Sequence, residues 1–578
     1  MAVKTFGTLE YKPTEVTEAT TRFTSRPKKV IREWVMSNVK PHVCMKVKSI
    51  FPKIGATQTA PFYFQNSPDV CFDLLWFMER YPLNISDENK ERLINGRGLW
   101  EQSLNKNESI LVPGYEPRIV SLNAGCEPRH YQLVAKDFWM STVRFLLADD
   151  MGLGKTISAI ISLKENGMLP AAIVMQAHLP RQWAREIEKW TDLKVHVVNK
   201  KRMYDLPEAD VYLFKYTSMS GWTSFFSTGF FKAAIFDEIQ ELRHDSTDKY
   251  GAGLALSENV HMVMGMSGTP IYNYGNEMFN VMNIIKPGCM GTKEDFLREW
   301  TGSYNGKIVK DPSALGSFLR DNYLMLRRTR AEVGRELPPV NKIIWEVDCD
   351  HGEVANSESI AAQLAMTSLR GSFTERGMAA REFDLRLRQM TGVAKARSVA
   401  AYVRMLLDGG VQKVVLAGWH RDVYEIWEKE LSDYHRVMYT GSESAKQKDD
   451  SVKRFIESDA RVFIISLRSG IGLDGLQKIC DWVVFGELDW SPKVHDQVIT
   501  RIDRDGREEG RDSVTAVFLF TEYGSDPTMM DVLGLKASQS HGIIDPFSGV
   551  GEQLSDESRI KKLAKNYLAS LNKEVPVE

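Results

Sequence analysis

From about residue 120 onward the sequence alternates short apolar, β-branched runs with amphipathic helical stretches, and this alternation restricts the possible folds more than any other feature. The runs AAIVM, DVYLF, AAIFD and HMVMGMSG are separated by segments such as LPRQWAREIEKW. A strand that is apolar on both faces must be covered on both sides, and helices between such strands act as crossovers. The pattern therefore specifies a parallel sheet wrapped by helices. A second series begins near Lys413 with KVVLAGW and continues through RVFIISL, WVVFGEL and SVTAVFLF. Two α/β lobes are expected. Residues 276–410 are mostly helical in pattern, broken by LPPVNKIIWEVDCD, which reads as a linker and the first strand of the second lobe.

The first 115 or so residues differ in texture, with the hydrophobic-aromatic block VCFDLLWFMERYP and proline-marked turns. The expected division is a small α+β accessory domain over 1–118, a first lobe with a helical insertion over 119–340, a second lobe over 341–540 and a tail over 541–578. At 578 residues, 43% of them hydrophobic, the chain can bury several cores. Its six cysteines show no C-x-x-C pairing, which suggests neither a zinc site nor a disulfide framework and fits a reducing compartment. No apolar run approaches the roughly 18 residues that a spanning helix needs, and MAVKTFGTLEYKPTEV lacks a secretory apolar region. A soluble protein inside a cell, without a membrane partner, is expected.

A net charge of −2 and a pI near 6.6 argue against a uniformly basic surface. Between Met1 and Ala60, however, eleven Lys or Arg stand against four Glu. That local excess reads either as a phosphate-facing patch or as a solvated face.

The stretch LLADDMGLGKTISAI, residues 146–160, puts Gly152 and Gly154 in a strand-to-helix turn. Backbone N–H groups in such a turn can wrap a polyphosphate, with Lys155 reaching the β- and γ-phosphates and Thr156 on Mg²⁺. Asp149 occupies the first glycine position of the general phosphate-loop pattern. Farther on, AAIFDEIQ ends a strand with Asp237 and Glu238, suited to hold Mg²⁺ and to position the attacking water. MSGTPIYN follows the next apolar strand, its hydroxyls placed to sense the γ-phosphate. In HDQVITRIDRDGR, Arg501 and Arg504 lie three apart, on one face of a helix, where two guanidiniums can face a γ-phosphate across a cleft. Trp183, Trp190, Trp222 and Trp419 have the spacing of core residues, with stacking on bases as the other reading.

Taken in order, Arg129, Tyr131 and Gln132, then DDMGLGKT, LPRQWAREIEKW, FDEIQ, MSGTPIYN, LRRTRAEVGRELPP, SGIGLDGL and QVITRIDRDGR resemble the Swi/Snf-type branch of superfamily-two helicase-like ATPases over about residues 120–525. FGELDWSP is most similar to the annealing-helicase branch, related to the HARP-containing fork remodellers. The resemblance implies two RecA-like lobes, parallel sheets flanked by helices, that clamp duplex DNA and step along it as ATP is hydrolysed with Mg²⁺. By motif matching, Gln132 reads adenine with Arg129 beside it. Met151, Gly152, Leu153, Gly154, Lys155 and Thr156 surround the phosphates, and Asp237 and Glu238 arrange metal and water. Gly472 and Asp474 couple DNA contact to the cleft, and Gln497, Arg501 and Arg504 act from the second lobe.

This sequence departs from the family where Asp503 stands for the usual His, Arg507 for Gln, Asp474 for a frequent Asn, and Ile239-Gln240 for Ala/Ser-His. The implied partners are ATP, double-stranded or branched DNA, and single-strand-binding or replication proteins. The implied state is a monomeric, compact bacterial or viral form. Three activities fit: remodelling or reannealing DNA, stripping a protein such as a polymerase from DNA, or a nucleotide-gated clamp.

Overall fold

The computed structural model describes residues 5–16, 29–51, 54, 58–268, 270, 275–302, 306, 308–334, 340–370, 373–467, 475–504, 513–530, 563–565 and 567–568. Gly472, Asp474 and Arg507, and most of the tail, lie outside the described residues, as does much of the basic N-terminal excess.

Near the N-terminus, β1 (Thr8–Val16), β2 (Lys29–Ser37) and β3 (Phe62–Gln65) form an antiparallel sheet in sequential order. The helices Pro68–Arg80 and Asp87–Leu111 follow it in the chain. Trp34, Met36, Phe62 and Phe64 from the sheet join Leu74, Phe77 and Leu93 from these helices in one small core. The aromatic block read from the sequence is the Pro68–Arg80 helix, which packs against the longer helix.

A seven-stranded sheet comes next, built from β4 (Arg144–Leu147), β5 (Ala171–Met175), β6 (Val195–Val197), β7 (Val211–Lys215), β8 (Ala233–Asp237), β9 (Met262–Met266) and β10 (Met325–Leu326). The strands run in the spatial order β10-β4-β9-β8-β5-β7-β6, and every pairing is parallel. Along β5, Ala172 and Val174 belong to one buried cluster while Ala171, Ile173 and Met175 belong to another. Alternate residues thus enter cores on opposite faces, which is why this strand reads as a continuous apolar run.

The second parallel sheet repeats the scheme with β11 (Asn341–Glu346), β12 (Val414–Gly418), β13 (Arg436–Tyr439), β14 (Val462–Ser466), β15 (Trp482–Phe485) and β16 (Thr515–Phe520), in the order β11-β16-β15-β12-β14-β13. Val415, Ala417, Phe463 and Ile465 face one core, and Val414, Leu416, Val462 and Ile464 face the other. The parallel sheets flanked by helices expected from the alternation are present, two of them among the described residues. The strand in LPPVNKIIWEVDCD is an edge strand of the second sheet, paired only with β16 among the described strands. Residues 276–410 carry helices at Glu277–Ile285, Lys293–Phe296, Pro312–Asp321, His351–Arg370 and Phe373–Asp408. Among the described residues, no helix is long and apolar enough to cross a membrane.

Candidate nucleotide cleft

In the first parallel sheet β9 lies between β4 and β8. The loop after β4, residues Ser267 and Gly268 after β9, and Asp237 at the end of β8 therefore meet along one sheet edge, at the carboxyl ends of the strands, where open α/β sheets take ligands. A cleft of about 300 Å³ opens there. Its first-lobe wall comprises Met151, Gly152, Gly154, Lys155, Thr156, Asp237, Glu238 and Gly268, with Gln182, Trp183 and Glu186 from the helix Pro180–Trp190. The opposite wall comes from the second lobe: Gln497, Thr500, Arg501 and Arg504.

The loop after β4 depends on its glycines. Gly152 and Gly154 have φ of 89° and 72°, and Gly154 caps the helix Lys155–Ser162 in a left-handed conformation that other residues rarely adopt. A Cβ on Gly154 would lie 2.5 Å from Gln132 Nε2. The helix N-terminus beyond it presents backbone N–H groups, a ready anion site. Lys155 Nζ donates to the carbonyls of Asp149 (2.8 Å) and Asp150 (3.2 Å), across the mouth of this loop. Desolvation lowers the Lys155 pKa, and the carboxylates of Glu238 and Asp149 oppose that shift.

The acidic wall is tightly held. Trp183 Nε1 donates to Asp237 Oδ2 at 2.9 Å, and Tyr216 Oη donates to the Asp237 carbonyl at 2.9 Å. Burial, with the neighbouring Glu238 carboxylate adding to it, pushes the Asp237 pKa up to about 7, against the Trp183 hydrogen bond and Lys155. Glu238 has φ 51°, a left-handed conformation that a non-glycine residue keeps only where its surroundings hold it. The Gln240 amide donates to Glu238 Oε2 at 2.6 Å and so supports the second carboxylate.

Several residues lie elsewhere than the sequence reading put them. Arg501 is in the last turn of the helix Pro492–Ile502, but Arg504 lies past its end, because Asp503 is the C-cap. The two arginines share the cleft without sharing a helix. Arg129, Gln132 and Leu153 do not line the cleft: Gln132 is buried beneath the loop, its Nε2 donating to the Leu153 carbonyl (3.2 Å) and its Oε1 accepting the Arg129 N–H (3.0 Å). The Gln132 amide thus bridges the Arg129 N–H and the Leu153 carbonyl and so braces the loop after β4. In the MSGTPIYN segment, Thr269 and residues 271–273 lie outside the described residues, and Gly268 reaches the cleft.

Spacing alone gave no sign of what grips this loop. Arg328 makes a two-pronged ion pair with the buried Asp149, Nε to Oδ1 at 3.0 Å and Nη2 to Oδ2 at 2.5 Å. Arg327 pairs with Asp150 at 2.6 Å. The aspartate at the loop's first glycine position is thus an anchor for LRRTR, and planar guanidinium forks are the groups suited to it. Trp183 was missed for a related reason. It sits in the apolar core at 2% exposure, as its helical spacing predicts, while its N–H points at Asp237.

These features define a class: a protein of two parallel α/β lobes with a cleft of about 300 Å³ in their seam, lined by a glycine loop with Lys155 and two carboxylates on one side and two arginines on the other. The SNF2-related domain model matches residues 74–392, more than half of the chain, and the chain belongs to that family, the Swi/Snf-type branch of helicase-like ATPases that its motifs resemble. Over 379 residues it is 26% identical to the SWI/SNF-related matrix-associated actin-dependent regulator of chromatin subfamily A-like protein 1 of Xenopus tropicalis, covering 63% of this chain and 39% of that one. Over 425 residues it is 27% identical to the DNA annealing helicase and endonuclease ZRANB3 of Mus musculus, covering 68% of this chain and 38% of that one. The chain thus spans about two fifths of the length of these curated relatives. Among solved structures it aligns with the Sulfolobus solfataricus SWI2/SNF2 ATPase core in complex with dsDNA, at 20% identity and a TM-score of 0.36, covering 75% of this chain and 96% of that one.

Proposed function

We propose that this protein is a DNA-dependent ATPase that uses the cleft to move along double-stranded DNA, and that the motion remodels DNA structures. The observation that carries the reading is the composition of one cleft: Lys155, Thr156, Asp237 and Glu238 stand on one lobe and Arg501 and Arg504 on the other. A polyphosphate fits the N–H groups and Lys155. A divalent cation fits Asp237, whose burial beside a second carboxylate is costly until a cation neutralises it. Thr156 and Asp237 would hold Mg²⁺, which when bound with ATP neutralises phosphate charge.

Lys155 then exchanges its loop carbonyls for phosphate oxygens, Glu238 orients the attacking water, and Arg501 and Arg504 stabilise charge developing on the γ-phosphate. Because the two walls belong to different lobes, catalysis is tied to lobe closure. A duplex gripped by both lobes is ratcheted if the grips alternate in strength. The regular line of backbone charge supplies a track that does not depend on sequence.

Remodelling by annealing is favoured over protein stripping by the FGELDWSP segment and by the names of aligned relatives. The division into 1–118, 119–340 and 341–540 is supported by one sheet in each, and the excess of Lys and Arg between Met1 and Ala60 supports giving the first of these the choice of DNA structure. The test compares ATP turnover on duplex, single-stranded and forked DNA with displacement of a third strand from a triplex. Duplex-stimulated turnover with triplex displacement is expected. Turnover indifferent to DNA would overturn the motor reading, and stimulation without displacement would leave a nucleotide-gated clamp. Annealing of bubbles coated with single-strand-binding protein tests the finer assignment.

A further inference from the structure

We propose that Arg330 and Asp503 are a positioning pair that sets where Arg501 and Arg504 stand in the cleft, an inference that rests on the nucleotide reading above. One guanidinium spans the seam. Arg330 Nη1 pairs with Asp503 Oδ2 at 2.8 Å, Nη2 donates to the Asp503 carbonyl at 2.8 Å, and Nε donates to the Met151 carbonyl at 3.1 Å. The Arg330 backbone N–H is itself fixed on Asp150 Oδ2 at 3.1 Å. A planar fork engaged by both the side chain and the main chain of one residue fixes that residue's orientation as well as its distance. Both partners are largely withdrawn from solvent, at 18% and 8% side-chain exposure, so the pair is less screened than a surface bridge.

The position of Asp503 gives this contact its consequence. It is the cap of the helix that carries Arg501, and Arg504 follows it directly. A carboxylate at a helix C-terminus meets the negative end of the helix dipole, so local helix energetics disfavour it. Arg330 supplies the compensating charge from the other lobe. Gly152 completes the fit: a Cβ there would come to 3.0 Å from Arg330 Nη2, so the glycine leaves room for the fork as well as for the backbone turn. The ion pair rooted at Met151 therefore ties the glycine loop directly to the helix end that carries the two arginines, beside the Thr500 hydroxyl, which donates to Met151 Sδ at 3.4 Å.

The test measures kcat and KM for ATP at saturating duplex DNA for Arg330→Gln, Asp503→Asn, the double variant and Asp503→Glu, all in the full chain, with thermal midpoints alongside. Misplacing a catalytic group by about 1 Å costs on the order of 10²-fold. Each single variant is expected to lose kcat by roughly 10- to 100-fold with KM nearly unchanged. The double variant should be no worse than the worse single, Asp503→Glu should recover part of the rate, and the melting temperature should drop most in Arg330→Gln, which leaves the Asp503 carboxylate unpaired, and recover in the double variant.

Single variants with wild-type kcat, or losses that multiply in the double variant, would overturn the pair. Hydrogen exchange supplies a readout that does not need turnover: either single variant should raise exchange in residues 149–154 and 492–504 together. A rise in one segment alone contradicts the coupling. A wild-type chain that turns over no ATP sinks the proposed function instead, and the exchange measurement still decides the pair.

Discussion

The two walls of the cleft are built by different means. On the first lobe, the phosphate loop, Gly268, Asp237 and Glu238 project from three adjacent strands of one parallel sheet buried on both faces, so their spacing is fixed by strand pairing. On the second lobe, Gln497, Thr500 and Arg501 come from a single helix and Arg504 from the turn that ends it. Their distance from the glycine loop is a property of the seam, where the described ties include Arg330 to Asp503 and the exposed pairs of Arg181 and Arg185 with Asp449 at 3.8 and 3.9 Å. The first wall is preassembled and the second is conditional. The preassembled wall can bind a nucleotide, and the conditional one can make its hydrolysis depend on how the lobes close.

The comparison breaks most visibly if the second wall is dispensable. Arg501→Ala or Arg504→Ala should cut duplex-stimulated ATP turnover by about 10³-fold, in the range of arginine-finger losses, while equilibrium binding of a fluorescent ATP analogue changes only a few-fold. Binding and turnover lost in parallel would erase the distinction between the walls. Next in size, Glu238→Gln should lower turnover by roughly 10²-fold with nucleotide affinity kept, because it removes charge from the water-orienting group and leaves the phosphate loop intact.

A smaller effect probes how the first wall is held. Trp183→Phe keeps an aromatic ring but removes the donor to Asp237, a hydrogen bond to a charged group worth about 1.5–3 kcal/mol. Asp237 must be ionised to hold Mg²⁺, and with its pKa already raised to about 7, the apparent Mg²⁺ affinity should fall as pH drops below 7. In Trp183→Phe that acid limb should move to higher pH, because the lost hydrogen bond was favouring the charged form. A Mg²⁺ titration of ATPase rate at several pH values checks the direction.

The effect with the smallest expected change in turnover concerns the helix behind the second wall and is read in stability. His495 on this helix is buried between Phe485 and Phe518, and burial lowers its pKa to about 4. The unfolded chain takes up the proton near pH 6.5 and the folded one only near 4. Stability is therefore intact above pH 6.5 and falls through that window by about 3 kcal/mol. His495→Gln should flatten the acid-side slope of chemical denaturation between pH 6.5 and 4 and leave the neutral-pH ATPase nearly unchanged.

What could be read from the sequence follows the same division. The strands, the glycine turn and the Asp237-Glu238 pair are legible because apolar runs have period-two burial and because phosphate chemistry needs small residues and a cation at fixed spacing. The two arginines are legible as a pair, but the helix end that separates them is not, since VITRIDRDGR carries no glycine or proline before Arg504 to mark the stop. The grip of Arg327, Arg328 and Arg330 on the loop escapes local pattern altogether: β10 lies beside β4 in space but about 180 residues away in sequence. Gln132 shows a second thing that local pattern hides: its motif match points to a base contact, and only the structure shows that its amide also packs against Gly154 and braces the loop.

The central claim is that one nucleotide is touched from both lobes. Trapping of ADP with aluminium fluoride, a mimic of the γ-phosphate in transfer, in the presence of duplex DNA tests it most directly. Wild-type protein should retain the trapped nucleotide through gel filtration, and both Lys155→Ala and Arg504→Ala should lose it. Retention by Arg504→Ala equal to wild type would mean that the second lobe does not reach the phosphates, contradicting the account.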